Sequence, residues 1–356
     1  MNFAVMRRTS KVAALVFPAA MTALLLFTSC QAGVPKYASL EKAEPKIQSG
    51  EVSFDVSITP DTGKDIKLWL PYPTSNEYQT IQEVNISGNY DSAGVYREPE
   101  SGTIMLYAEW TKPEGQAVLH YSFEISRTEM LRKDFKDFMG EIPVETRKYL
   151  EATSLGPTIG DVEETAERIT KGKTTILEKA TAIYDWIIEN FERDPNIVGC
   201  GIGDVESLLK TQAGKCTDIS SVFVALSRSV GVPAREIFGI RMPVEGDITS
   251  AYHCRAEFYL PGYGWVPVDP SDVRKYMLNN GCTIDSPNAE EVRDYYFGNQ
   301  TDTYIDFYSG RDLTLSPAQS SGPLNYLMYP YAESGGKVLD WFAQEQLKYT
   351  VSYHAG

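Results

Sequence analysis

Three residues in this chain have the types and the order needed for thiol chemistry: Cys216, then His253, then Asp269. A thiolate is the nucleophile, and at its ordinary pKa near 8.5 only about 3% of a thiol is ionised at pH 7. A helix N-terminus presents unpaired N–H groups and partial positive charge, which favours the ionised form. Cys216 stands at such a start: Gly214 and Lys215 precede it, and Ile219, Val222, Phe223, Leu226 and Val230 follow at helical spacing until Gly231 and Pro233 end the run. Its immediate neighbours are small or polar, which does not suit a core cysteine.

A base must sit beside the thiol, and the chain has three histidines. His120 falls out of phase with the apolar face of its strand, and His354 lies almost at the C-terminus. His253 remains, in line with Arg255, Glu257 and Tyr259 on a predicted strand. A third group should orient the imidazole. A three-residue turn, Pro261 to Tyr263, sets Leu260 opposite Gly264 and brings Asp269 to the same face as His253. A turn of even length would send Asp269 to the other face, and Asp272 is its rival.

The elements that must hold these groups are legible in outline. Val52, Phe54, Val56 and Ile58 alternate with polar residues, as do Ile66, Leu68 and Leu70, then Leu119, Tyr121, Phe123 and Ile125. Short strands separated by turns such as Asp61–Thr62–Gly63 predict a small all-β, immunoglobulin-like sandwich over 49–130. Beyond it the period changes. Thr175 and Glu178 form a capping-box pattern, and Ala180, Ile183, Tyr184, Ile187, Ile188 and Phe191 share one helical face. Strand patterns return from Tyr252 to Asp269 and in the tail, including Leu324 to Tyr331 and Tyr349 to Tyr353. Helices followed by strands make 131–356 an α+β catalytic domain with C-terminal strands.

The N-terminus carries Arg7, Arg8 and Lys11, an apolar stretch from Val12 to Phe27, then Thr28, Ser29 and Cys30. This reads as an export signal over 1–29, and its end resembles a bacterial lipoprotein lipobox, with Phe27 in place of the usual Leu. The resemblance implies cleavage before Cys30, lipid on its sulfur, a tether over 30–48, and a membrane-anchored place in the cell envelope. The net charge of −15, with no basic stripe, argues against nucleic-acid binding. Of the five cysteines, Cys200, Cys254 and Cys282 are left for a disulfide or for buried thiols. No phosphate loop or zinc motif is present, and neither metal nor cofactor is expected.

Gly214–Lys215–Cys216–Thr217–Asp218, followed by Gly231–Val232–Pro233–Ala234–Arg235, resembles the nucleophile helix of the bacterial transglutaminase-like superfamily. His253–Cys254–Arg255–Ala256–Glu257–Phe258 and Gly264–Trp265–Val266–Pro267–Val268–Asp269–Pro270 are similar to its His and Asp blocks, and Ala182 to Trp186 to the helix before them. The resemblance covers about 140–300. It implies a papain-like core with Cys216 as nucleophile, His253 as base and Asp269 as orienter, acting on an amide of a protein or peptide through a thioester. The oxyanion would meet the Cys216 N–H and a second donor, for which Gln212 is the guess. Two departures stand out. Arg255 occupies a position where many members have Trp, and Asp218 sets a carboxylate near the thiol. Hydrolysis is the expected outcome and transfer to an amine the variant; the contrasting reading is a non-catalytic envelope module that binds peptide or glycan.

Overall fold

The computed structural model describes residues 44–137 and 140–356. Cys30, with the signal and most of the tether, lies outside them.

The N-terminal half supplies six strands: β1 Ile47–Ile58, β2 Ile66–Pro71, β3 Gln79–Gly88, β4 Ser92–Arg97, β5 Ile104–Trp110 and β6 Ala117–Thr128. The middle holds α1 Asp161–Ile169, α2 Ile176–Asn190, β7 Glu192–Arg193, α3 Val205–Thr211, β8 Ala213–Gly214, α4 Cys216–Ser229 and β9 Ala234–Arg241. There follow β10 Gly246–Asp247, β11 Tyr252–Leu260, β12 Gly264–Val268, α5 Pro270–Asn280, α6 Pro287–Tyr295 and β13 Tyr304–Tyr308. The tail adds β14 Tyr331–Ser334, β15 Lys337–Val338 and β16 Leu347–Ala355. The result is the expected α+β protein, with a β-rich N-terminal part ahead of a mixed core.

Two five-stranded antiparallel sheets, ordered β10–β16–β1–β6–β3 and β15–β14–β2–β5–β4, bury Val52, Phe54, Val56 and Ile58 with Ile66, Leu68 and Leu70 in one core. The pairings across the chain differ from the boundaries read in the sequence. β16 runs beside β1 from Gly50↔Ala355 to Ile58↔Leu347, and β14 beside β2 from Tyr331↔Trp69 to Ser334↔Ile66. The tail strands therefore complete the N-terminal sheets instead of extending 131–356. Period-two alternation marks a strand and its buried face but does not name its partner, so a pairing across some 300 residues leaves no local trace.

Leu324 to Tyr331 also departs from expectation: only a Leu313–Leu324 bridge and the start of β14 are ladder-like. Its aromatic residues pack across the chain. Tyr326 stacks on Phe238, with ring centroids 5.4 Å apart, and Tyr329 meets Tyr252 edge-on at 4.6 Å.

The core that carries the site is a four-stranded sheet, β12–β11–β9–β13, with helices against it. α4 buries Ile219, Val222, Phe223 and Leu226 with Ala256, Phe258, Val266 and Val268 of that sheet. α2 begins with a complete capping box, Glu178 N–H donating to Thr175 Oγ1 at 3.1 Å and Thr175 N–H to Glu178 Oε2 at 3.1 Å. Phe238, Ile240 and Cys254 share the core of the two five-stranded sheets, so the site's sheet is continuous with them.

Candidate active site

Cys216 is the first residue of α4 and is 2% exposed. The turn before it is locked by Asp218. Its carboxylate accepts from Lys215 N–H at 2.9 Å, Ile202 N–H at 3.0 Å and Gly203 N–H at 2.9 Å. Thr217 N–H adds a 2.9 Å bond to the Cys200 carbonyl. The loop 200–203 is thereby fastened to the helix start. Asp218 thus spends its charge on backbone donors. Burial pushes its own pKa up, and the Cys216 thiolate adds to that rise.

Gly201 shows what this packing demands. Its φ is +88°, and a Cβ there would stand 1.9 Å from Asp218 Oδ2. Gly201→Ala is expected to cost more than about 1 kcal/mol, since the backbone is incompatible and the carboxylate must move. Urea unfolding checks this, and a variant as stable as the parent would mean the loop is not clamped as described.

Two more thiols surround the nucleophile. Cys200 and Cys254 are free and buried. Cys200 Sγ lies 3.3 Å from the Tyr252 carbonyl, and Cys254 Sγ 3.3 Å from Thr217 Oγ1. The neighbouring Cys200 and then Cys254 thiols favour the Cys216 thiolate and hold its pKa well below the usual thiol range, against burial, with the His253 charge adding to the effect. Cys200 is pushed up by Cys216 and then by burial, and Cys254 by burial and then by Cys216.

His253 pairs with Gly239 on β9, and its ring is edge-on to Tyr304 at 5.7 Å. Tyr304 Oη also donates to the His253 carbonyl at 3.0 Å and to Ile237 at 2.8 Å, fixing the strand under the ring. The hairpin has the anticipated register, Leu260↔Gly264 through Ala256↔Val268. One residue on, the chain leaves the strand, and Asp269 caps α5. Its Oδ1 accepts from Asp272 N–H at 3.0 Å, Pro270 opens the helix, and its Oδ2 is 2.6 Å from His253 Nε2. With Asp269 at Nε2, Nδ1 is the ring nitrogen left for Cys216.

Asp272, the rival, is farther from the ring, its Oδ1 3.9 Å from Nε2, and is ion-paired to Arg241. Arg241 also stands 3.5 Å from Asp269. Burial and Arg241 push the His253 pKa down, but Asp269, Asp272 and Cys216 more than reverse this, and the net shift is upward. Burial, then Asp272, raises Asp269, while His253 and Arg241 pull it back. Asp272 is held low by Arg241 in spite of burial. The donors of His253, Asp269 and Asp272 lie within 4.8 Å of one another. That spacing would suit a cation, yet the Arg241 guanidinium already stands against both carboxylates.

Cys216 and His253 open onto a cleft of about 770 Å³. Arg193, Lys215, Arg241, Lys275, Tyr329, Trp341 and Phe342 also line it. Of the aromatic tail, Tyr329 therefore reaches the cleft, although it is 5% exposed. Gln212 is not among the lining residues: it ends α3 in a left-handed turn, φ 49°, and its carbonyl accepts from Glu192 N–H at 2.8 Å. The other histidines stand apart: His120 meets exposed Asp55 at 2.9 Å, and His354 is an exposed residue of β16.

Sequence reasoning missed Tyr304, Arg241 and the cleft walls. The aromatic and β-branched residues of Tyr304 to Tyr308 suit a strand but do not give its place beside β9. Arg255, the unusual residue next to the histidine, proves to be wholly buried: it donates to Glu257 at 2.6 Å and to Asp306 at 3.1 Å, and so serves packing within the sheet.

The sequence profile of the transglutaminase-like superfamily matches residues 163–270. The chain is 36% identical over 325 residues to an uncharacterized protein of Haemophilus influenzae, covering 83% of this chain and 88% of that one. Its fold is similar to that of a candidate cysteine protease from Cytophaga hutchinsonii, with a TM-score of 0.53, 14% identity, and coverage of 87% and 100%. A weaker likeness, TM-score 0.36 and 16% identity over 71% of this chain and 79% of the other, is to the periplasmic domain of TgpA from Pseudomonas aeruginosa. Residues 163–270 of the chain are thus a transglutaminase-like region.

Proposed function

We propose that the protein is a thiol hydrolase that cleaves an amide bond of a protein or peptide through a thioester on Cys216. The observation that carries this reading is the His253 ring, bonded to Asp269 at Nε2 and facing the same cleft as Cys216 at the start of α4. The thiolate attacks the carbonyl carbon, and the oxyanion forms against the Cys216 N–H, a first-turn donor with no partner inside the helix. His253 gives its Nδ1 proton to the leaving amine as the C–N bond breaks. Water, deprotonated by the same nitrogen, then releases the acid and restores the thiolate. Asp269 keeps the ring in the orientation and tautomer this requires. Transfer to a primary amine would use the same thioester with an amine in place of water.

The test is to incubate the protein with Gln-containing peptides and a labelled amine, quench, and look for an acyl adduct on Cys216 by mass spectrometry. Acylation at Cys216 followed mainly by free acid is expected. Amine incorporation exceeding hydrolysis would replace the hydrolase reading with cross-linking, and no adduct under any condition would overturn thioester chemistry. We further place the protein at the cell envelope, held to a membrane by lipid on Cys30. Among the described residues no helix is long and apolar enough to cross a membrane. Cys30→Ser is expected to move the protein from the membrane to the soluble fraction on cell fractionation; retention on membranes would count against a lipid anchor.

A further inference from the structure

The cleft reverses the charge of the molecule. The chain carries 48 acidic and 33 basic side chains, yet the lining of the cleft has four cations, Arg193, Lys215, Arg241 and Lys275, against one carboxylate, Asp247. Arg241 is neutralised by Asp269 and Asp272. The other three form no ion pair among the described residues. Arg193 donates to the Ser271 hydroxyl at 3.1 Å, Lys215 to the Ile197 carbonyl, and Lys275 reaches Asp272 only through a longer-range field. A neutral partner satisfies a donor but leaves its charge uncompensated. All three are half-buried, so water screens them less than it screens open surface cations. Asp247 keeps its charge while accepting from Thr249 N–H at 2.8 Å, but it is exposed and so more strongly screened than the three half-buried cations it stands against.

We infer that the acyl donor is an acidic peptide, one bearing a carboxylate close to the scissile amide, and that Arg193 and Lys275 bind that carboxylate. The inference rests on the hydrolase reading for its amide but on the cleft charge for its acidity. The wall of Tyr329, Trp341 and Phe342 would take the apolar part of the same peptide. Since the protein as a whole repels anions, the cleft also supplies the local attraction that admits this substrate.

Two alkylating probes of nearly equal size, iodoacetate and iodoacetamide, differ in charge and test this on the intact protein. The ratio of their rates at Cys216 is expected to fall about fivefold in Arg193→Gln/Lys275→Gln, and to fall in the parent when salt is raised from 0.05 to 0.5 M, probe concentrations being fixed. A ratio unmoved by both changes would overturn the assignment. A second measurement does not depend on thiol reactivity. On a Cys216→Ala background, a fluorescent peptide containing Glu should bind about tenfold tighter than its Gln counterpart, and the preference should disappear in the same double variant. Equal binding of the two peptides would sink the proposal. If Cys216 resists both alkylating reagents while the Glu preference holds, the hydrolase reading fails and the acidic-peptide site stands.

Discussion

His253→Ala is expected to lower amide hydrolysis by about 10²–10⁴-fold, the usual worth of a positioned acid–base group. Two effects combine. The variant loses the proton carried to the leaving amine. It also loses the imidazolium charge that helps hold Cys216 low, although the Cys200 and Cys254 thiols remain beside it. Stability should change less than activity, because the ring's bonds are confined to Asp269 and the Tyr304 contact. The loss should be seen in kcat as well as in kcat/KM, since the group acts in the transition state. A variant that retains more than about a tenth of the parent's activity would remove His253 from the mechanism.

The second large effect lies under the site. Asp306 on β13 accepts from Arg127 of β6 at 3.2 Å and from Arg255 of β11 at 3.1 Å, and Gln79 of β3 bonds its backbone at 2.8 and 2.9 Å. Arg255 continues to Glu257, and Glu257 to Arg235. This chain of charges ties the N-terminal strands to the sheet that carries His253. Both guanidinium groups are wholly buried, and Arg127 Nε and Nη2 already lack partners. Removing their shared carboxylate leaves the buried Arg127 charge without its carboxylate, and leaves Arg255 with only Glu257, which it shares with Arg235. Asp306→Ala is therefore expected to destabilise the fold by about 3–5 kcal/mol, measured by urea unfolding. A loss below about 1 kcal/mol would mean that water or another carboxylate takes its place.

The same network sets an acid limit. Burial would raise Glu257, but Arg235 and Arg255 hold it down at about 2. A depressed folded-state pKa stabilises above the unfolded value near 4.5 and loses that contribution as pH falls toward 2. Stability should therefore drop across that window, and Glu257→Gln should flatten the drop. An equally steep loss in the variant would assign acid unfolding to other carboxylates.

The site was more legible in the sequence than the architecture that holds it. Cys216 could be read because a helix start, a glycine and an apolar run are all local. His253 emerged because histidine is scarce. Asp269 depended on a turn length that fixed register, although its capping of α5 came from Pro270 and not from strand geometry. What local pattern could not carry was partnership between distant segments. β16 beside β1, Asp306 between two arginines, and Tyr304 beneath His253 are each set by packing across more than fifty residues. Arg255 illustrates the cost. Read in isolation it suggests an altered substrate contact, but Asp306 and Glu257 explain it as a buried link.

The central claim, that Cys216 is a thiolate poised by His253, is tested most directly by the pH dependence of Cys216 alkylation with iodoacetamide. The lowered Cys216 and raised His253 pKa values both favour a thiolate–imidazolium pair. Labelling in the parent should already be fast near pH 6, while His253→Ala should need a higher pH to reach the same rate. Labelling that appears only as pH approaches about 8.5, alike in parent and variant, would show an ordinary thiol and contradict the account.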